Sequence, residues 1–288
     1  GNKKALLVSA CATGKTHLSA FDAKFTDPKR LLFVVHRENI TKKALDTFKS
    51  IFGSNKTMGL YTGNQKEIDK DFIFSTIQTL SRTQHLQQFK PEHFDYIVID
   101  ESHRAGATSY LTILKHFKPK FILGLTGTPE RTDGFDIFNL FDHNIAYELR
   151  LHRALEEDMI CPFHYFGVTD LTIDGQIIEE NSKFLHLVSV DRINHIIEKI
   201  TFYGSDNGQT RGLIFCSSID ECITLSDEFN ERGYRTVALT GSSTESEREE
   251  AIIRLESDNI DERLDYIFTV DIFNEGIDIP KINQVIML

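Results

Sequence analysis

Nine short apolar runs decide what this chain can fold into. Ala5–Val8, Leu31–Val35, Phe72–Ser75, Tyr96–Ile99 and Phe121–Leu125 lie in the first half; Gly212–Cys216, Thr236–Leu239, Tyr266–Val270 and Gln284–Leu288 lie in the second. Runs of this length without polar alternation read as strands buried on both faces. Helical spacing fills the gaps between them. In Asn39–Ile51 the apolar residues Ile40, Ala44, Leu45 and Phe48 recur on one face, and Ile219–Arg232 and Glu245–Glu256 read the same way. Thr244 is placed to cap the last of these, and Gly233 to end the one before it. Strands alternating with helices build βαβ units and hence a parallel sheet, an α/β architecture.

A chain of 288 residues has room for two such domains. Its charge is divided accordingly. Residues 1–148 carry 20 Lys and Arg against 16 Asp and Glu, a balance of +4, and residues 149–288 carry 12 against 27, a balance of −15. We expect a first domain over 1–148 and a second over 149–288, free to rotate about Asn144–Phe166. That connector reads as a short helix, a Cys161–Pro162 break and an aromatic strand. Asp174–Gly175 signals a hairpin turn. The acidic total of −11 leaves room for a local basic groove, because phosphate contacts come from local patches. No apolar run approaches the ~20 residues that span a bilayer, and the N-terminus lacks a secretory pattern. The cysteines Cys11, Cys161, Cys216 and Cys222 form no C-x-x-C pair, so they read as thiols of a reducing cytoplasm.

Chemistry concentrates where strands end. Ser9, Ala10, Cys11, Ala12, Thr13, Gly14, Lys15 and Thr16 follow a strand and precede a helix. Successive backbone N–H groups and a helix N-terminus there make a concave anion site. Lys15 is placed to reach the β- and γ-phosphates of a nucleotide, and the Thr16 hydroxyl to ligate Mg²⁺. Ser9 and Ala12 stand where such loops often carry glycine; Ala12 is costly if its φ is positive. A second strand ends in Asp100-Glu101-Ser102-His103. Ligands of parallel sheets lie beyond such ends. Asp100 can hold Mg²⁺, and Glu101 can orient or deprotonate an attacking water. Adjacent acids are often only solvated loop residues; the phosphate loop upstream favours the chemical reading. A third strand runs into Thr126-Gly127-Thr128-Pro129-Glu130-Arg131, which taken alone is a turn.

Together these segments resemble the motifs of superfamily 2 helicases and translocases of the DEAD/DEAH type. After the phosphate loop come FVVHRENI, FSTIQTL, VIDESH and LTGTPER, then GLIFCSS and FTVDIFNEGIDIP in the second half. Seven motifs in order cover nearly the whole chain. DESHRAGA, GLTGTPERTDG and NEGIDIP look most like bacterial members whose motor is fused to a nuclease-like domain. The resemblance implies two RecA-like parallel-sheet domains in tandem, with ATP and Mg²⁺ as cofactors and nucleic acid, DNA ahead of RNA, as partner. Residue by residue it implies that Gly14, Lys15 and Thr16 hold phosphates and metal. Asp100 and Glu101 would be metal carboxylate and catalytic base. His103, Thr126 and Thr128 would couple the nucleotide to the nucleic acid. Gly276 and Asp278 would face ATP from the second domain. Arg37, Thr76, Gln78, Thr240 and Thr269 would line the nucleic-acid backbone.

Two departures from the family pattern qualify this. Only eight residues precede Ser9, too few for the adenine-recognition element, and the chain stops at Leu288, where the arginine-finger motif should begin. The second domain therefore reads as incomplete at its C-terminus. Such a finger is worth roughly 10³–10⁵ in rate, so weak turnover is expected of the chain as given. A nucleotide-gated clamp without efficient turnover is the alternative reading, and Asp100 with Glu101 argues against it. A small-molecule kinase would need no second half of this kind.

Overall fold

The computed structural model describes residues 2–130, 135–169, 171–173, 176–177, 187–205, 208–273 and 279–288. They form two compact units, Gly1–His164 and Tyr165–Leu288.

In the first unit the order is β1 (Lys4–Ser9), α1 (Lys15–Thr26), β2 (Leu31–Val35), α2 (Glu38–Phe52), β3 (Met58–Tyr61) and β4 (Phe72–Thr76). Then come α3 (Ile77–Leu80), α4 (Thr83–Leu86), β5 (Tyr96–Ile99), a 3₁₀ turn (Ser102–Gly106), α5 (Thr108–His116), β6 (Phe121–Thr126), α6 (Ile137–Leu140), β7 (Ile145–Leu149) and α7 (Leu151–Glu156). The strands make one sheet, ordered β3-β4-β2-β5-β6-β1-β7, with every pairing parallel. This unit runs past residue 148 because β7 pairs with β1.

Successive strand residues point to opposite faces, and both faces are covered. Leu6, Val8, Leu32, Val34, Ile97 and Ile99 pack on one side, against Ile77 and Leu80 of α3 and Tyr110 and Ile113 of α5. Ala5, Leu7, Phe33, Phe74 and Val98 pack on the other, against Ala20 and Ala23 of α1 and Ala44, Leu45 and Phe48 of α2. Phe48 meets Phe33 and Phe74 edge-on at 5.6 and 5.1 Å between centroids. Double coverage is why these strands read as unbroken apolar runs.

The second unit contains β8 (Thr172–Ile173), β9 (Gln176–Ile177), α8 (Val190–Tyr203), β10 (Gly212–Phe215), α9 (Ile219–Glu231), β11 (Thr236–Leu239), α10 (Glu245–Glu256), β12 (Tyr266–Thr269) and β13 (Gln284–Met287). Its sheet, β11-β12-β10-β13, is also wholly parallel. Ile214, Tyr266 and Phe268 pack on α8 and α9 through Ile193, Ile196, Leu225 and Phe229. Leu213, Leu239 and Ile267 face the opposite side with Ala251 and Leu255 of α10. Thr244 caps α10 in a reciprocal box with Glu247, and Gly233 follows α9 at φ 90°. β8 and β9 pair antiparallel, Ile173 opposite Gln176; the expected turn residues Asp174 and Gly175 lie outside the described residues.

One expectation is corrected. The aromatic segment 162–166 forms no strand, and Phe163, Tyr165 and Phe166 are exposed. Pro162 has no N–H to give to a ladder, and no described strand pairs with the segment. Aromatic β-propensity without a partner does not make a strand.

Candidate functional site

The parallel sheet brings the C-terminal ends of β1, β6, β5, β2 and β4 to one edge of the first unit. The phosphate loop leaves β1 there. Thr13 braces it, its hydroxyl donating to the Ala10 carbonyl at 2.6 Å while its oxygen meets Ser9 Oγ at 2.6 Å. Ala12 and Gly14 both have positive φ, 62° and 79°. The condition that makes Ala12 costly is therefore met, at about 1 kcal/mol or more for a residue with a Cβ. Gly14 caps α1 with no side-chain hydrogen bond, and no acid sits in the helix's first turn. The N-terminal N–H groups and positive dipole end are thus left for an anion. Lys15 folds back, its Nζ donating to the carbonyls of Ser9 (3.1 Å) and Ala10 (3.3 Å). Cys11 is exposed, and Thr16 is half-buried in the first turn of α1. All four cysteines are free, Cys216 and Cys222 being buried.

β6 lies beside β1, and β5 beside β6. Asp100 follows β5 and is only 7% exposed. Its Oδ1 accepts the Glu101 backbone N–H at 2.9 Å. Burial and then the neighbouring Glu101 charge push its carboxyl up to about 6, opposed in part by the Glu101 N–H and the Lys15 charge. A buried carboxylate whose charge is incompletely offset suits a hard divalent cation, which takes oxygen ligands. Asp100 and the Thr16 hydroxyl therefore fit Mg²⁺.

Glu101 is held in the left-handed region, φ 48°. Its Oε2 lies 3.3 Å from His103 Nδ1, and the same nitrogen lies 3.2 Å from Thr126 Oγ1. A proton on Nδ1 satisfies both oxygens, whereas a lone pair there would face a carboxylate. Thr126 Oγ1 also accepts the Thr128 N–H at 3.2 Å. Glu101, His103, Thr126 and Thr128 form one hydrogen-bonded chain between two strand ends.

Three participants were not evident from the sequence. A Cβ at Gly127 would sit 3.4 Å from the Ser9 carbonyl and 3.6 Å from Lys15 Nζ, so the β6 loop abuts the phosphate loop. Arg150 pins that same loop, bonding Glu130 at 2.6 Å and Glu148 at 2.5 Å. Ser102 is fully buried, and its hydroxyl has no partner among the described residues. Only tertiary structure reveals these; the opposite charges of Glu130 and Arg150 were the sole signal in the sequence.

The other expected residues are placed as follows. Arg37 caps α2 just past β2, and its carbonyl accepts the Thr41 hydroxyl at 2.9 Å. Thr76 ends β4 buried, its hydroxyl bonded to Thr79 Oγ1 at 2.9 Å, and Gln78 is exposed on α3. In the second unit Thr240 follows β11, nearly buried, with its hydroxyl 2.8 Å from Ser242 Oγ. Thr269 ends β12 fully buried, with no hydrogen bond to its hydroxyl among the described residues. That hydroxyl is not presented to an external ligand in this conformation. Gly276, Asp278 and Arg131 lie outside the described residues.

Residues 1–131 match the family model described as Type III restriction enzyme, res subunit, and residues 191–288 match the Helicase conserved C-terminal domain. A Saccharomyces cerevisiae relative with ATP-dependent helicase in its name, IRC3, is 25% identical over 89% of this chain and 38% of its own length. The chain spans about half or less of the length of its first curated relatives, 38% to 54%. Among solved structures, the ATP-dependent Type ISP restriction-modification enzyme LlaBIII bound to DNA aligns with 99% of this chain and 24% of its own. The TM-score is 0.70 at 18% identity. S. cerevisiae Dbp5 bound to RNA and ADP BeF3 aligns with 99% of this chain and 69% of its own, with a TM-score of 0.61 at 13% identity. At such identities the likeness is one of fold: tandem RecA-like domains.

Proposed function

We propose that the chain is a motor of the superfamily 2 helicase type, which hydrolyses ATP and couples the cycle to movement along nucleic acid; the two matched family models support this reading. One observation carries the reading: an uncapped phosphate loop at the β1 end shares a sheet edge with the Asp100–Glu101–His103–Thr126 chain. On ATP binding, Lys15 exchanges its loop carbonyls for the β- and γ-phosphates. Thr16 and Asp100 would hold Mg²⁺, which would offset the phosphate charge. Glu101 orients the attacking water and takes its proton. Because His103 Nδ1 is shared between Glu101 and Thr126, a shift of the Thr126–Thr128 loop moves the base. That is the coupling we assign to His103, Thr126 and Thr128.

Along the same edge, Arg37, Thr76 and Gln78 meet the nucleic-acid backbone, which hydroxyl, amide and guanidinium groups grip without reading sequence. Thr240 and Thr269 take that role in the second unit, Thr269 only after its strand end rearranges. We place DNA ahead of RNA, and a nuclease among the flanking domains of the parent protein, because the family model matched by residues 1–131 and the structure with the higher TM-score are described as restriction enzymes. Calorimetric titration with MgATP tests the site. Lys15→Ala should bind at least tenfold more weakly, while Glu101→Gln binds about as wild type and loses hydrolysis. Wild-type affinity in Lys15→Ala would show the site to be misassigned.

A further inference from the structure

Beyond Thr76 the same sheet edge continues to β3, and there the surface turns cationic. Tyr61 ends β3 almost fully buried and engages two basic side chains at once. Lys66 Nζ lies 5.1 Å over its ring, and His85 Nδ1 lies 2.9 Å from its hydroxyl. Burial raises the Tyr61 pKa, so the phenol keeps its proton, and the tautomer of His85 sets which of the two groups donates. His85 Nε2 is turned away from Tyr61 and lies 3.5 Å from Gln84 Nε2. Arg82 begins the turn of helix that carries His85 and is exposed.

These three side chains feel one another. The His85 pKa is lowered first by burial, then by the charges of Lys66 and Arg82, and Lys66 is lowered by burial and then by Arg82. Neither Lys66 nor Arg82 has a carboxylate at ion-pair distance among the described residues. The one acid that Lys66 feels, Glu38, accepts the Thr62 hydroxyl at 3.0 Å. Like charges gathered without carboxylates cost stability, and a bound anion removes that cost. Lys66 is fixed over the buried tyrosine and by donation to the carbonyls of Thr62 and Gly63, unlike a scattered solubilising lysine.

We propose that Lys66, Arg82 and His85 grip a backbone phosphate of nucleic acid at the β3 edge, extending the track past Arg37, Thr76 and Gln78. The inference rests on the nucleic-acid reading above. The test is fluorescence anisotropy of this chain with a labelled single-stranded DNA over a low-salt series. Arg82→Ala and Lys66→Ala should each weaken binding severalfold for any sequence. Each should also flatten the log–log salt slope by about one unit per lost phosphate contact. Arg82→Lys should keep the wild-type slope. Lys29→Ala removes an exposed charge from the opposite end of the strands, just before β2, and should change nothing. If wild type binds with a clear salt slope and Arg82→Ala and Lys66→Ala match it, the β3 grip is wrong and the proposed function stands. An equal loss in Lys29→Ala would likewise overturn the grip, since the effect would be one of net charge alone. If wild type shows no salt-dependent binding, both readings fall.

Discussion

Asp100 illustrates how much one residue can cost its fold. An acid raised to about 6 in the folded state still holds its proton at pH values where the unfolded chain, near 3.9, has lost it. Stability from this group therefore falls as pH rises from about 4 to about 6 and stays lower above. At ~1.4 kcal/mol per unit, ionised Asp100 destabilises by roughly 3 kcal/mol. In chelator, Asp100→Asn should be more stable than wild type at about pH 7.5 and equal to it near pH 4, as read by urea denaturation. Equal stability at both pH values would refute the buried-charge account. The carboxylates' position and pairing were legible in the sequence, because an apolar run ended on them. The strain at Glu101 was not, since nothing in residue identity reports a positive φ at a non-glycine. At Ala12 the strain could be stated only conditionally, and φ 62° supplies the condition. Ala12→Gly should raise thermal stability by up to ~1 kcal/mol, the left-handed penalty offset in part by glycine's extra entropy. A loss instead would mean that the Ala12 methyl is needed.

At the scale of elements, β6 depends on a glycine for packing rather than for a turn. A Cβ at Gly124 would lie 2.3 Å from the ring of Phe141, which is itself buried. Gly124→Ala should cost ~1–3 kcal/mol through overpacking, and adding Phe141→Leu should recover part of it in a double-mutant cycle. Exact additivity would contradict the contact. All nine apolar runs became strands; most are buried on both faces, which leaves an unbroken apolar signature, whereas β13 exposes Val285 and Met287. β3 and β7 had no such signature. β7 is an edge strand, exposed over Ile145–Glu148 and held by pairing with β1, so its sequence needs no apolar run. β3 is four residues long with Gly59 inside it. Conversely, residues 162–166 carried the aromatics of a strand but find no pairing strand among the described residues. The Arg150 clamp joins separate segments, and the fold-back of Lys15 depends on the path of its own loop's backbone, neither of which residue identity encodes.

For the whole molecule, the charge division sets the terms of binding. A first half at +4 carries the strand-end edge with Arg37, and a second half at −15 opposes a polyanion. Binding should therefore be weak at moderate salt and tolerant of sequence. Arg37→Ala should lower affinity about equally for all sequences and reduce the salt slope by about one unit. A strong preference for one sequence would argue against backbone tracking. The central claim is that nucleotide hydrolysis answers to nucleic acid, and phosphate release from MgATP with and without single-stranded DNA tests it most directly. The account predicts release that DNA accelerates in wild type and that Glu101→Gln abolishes under both conditions. Release that DNA leaves unchanged, or that persists in Glu101→Gln, would contradict it.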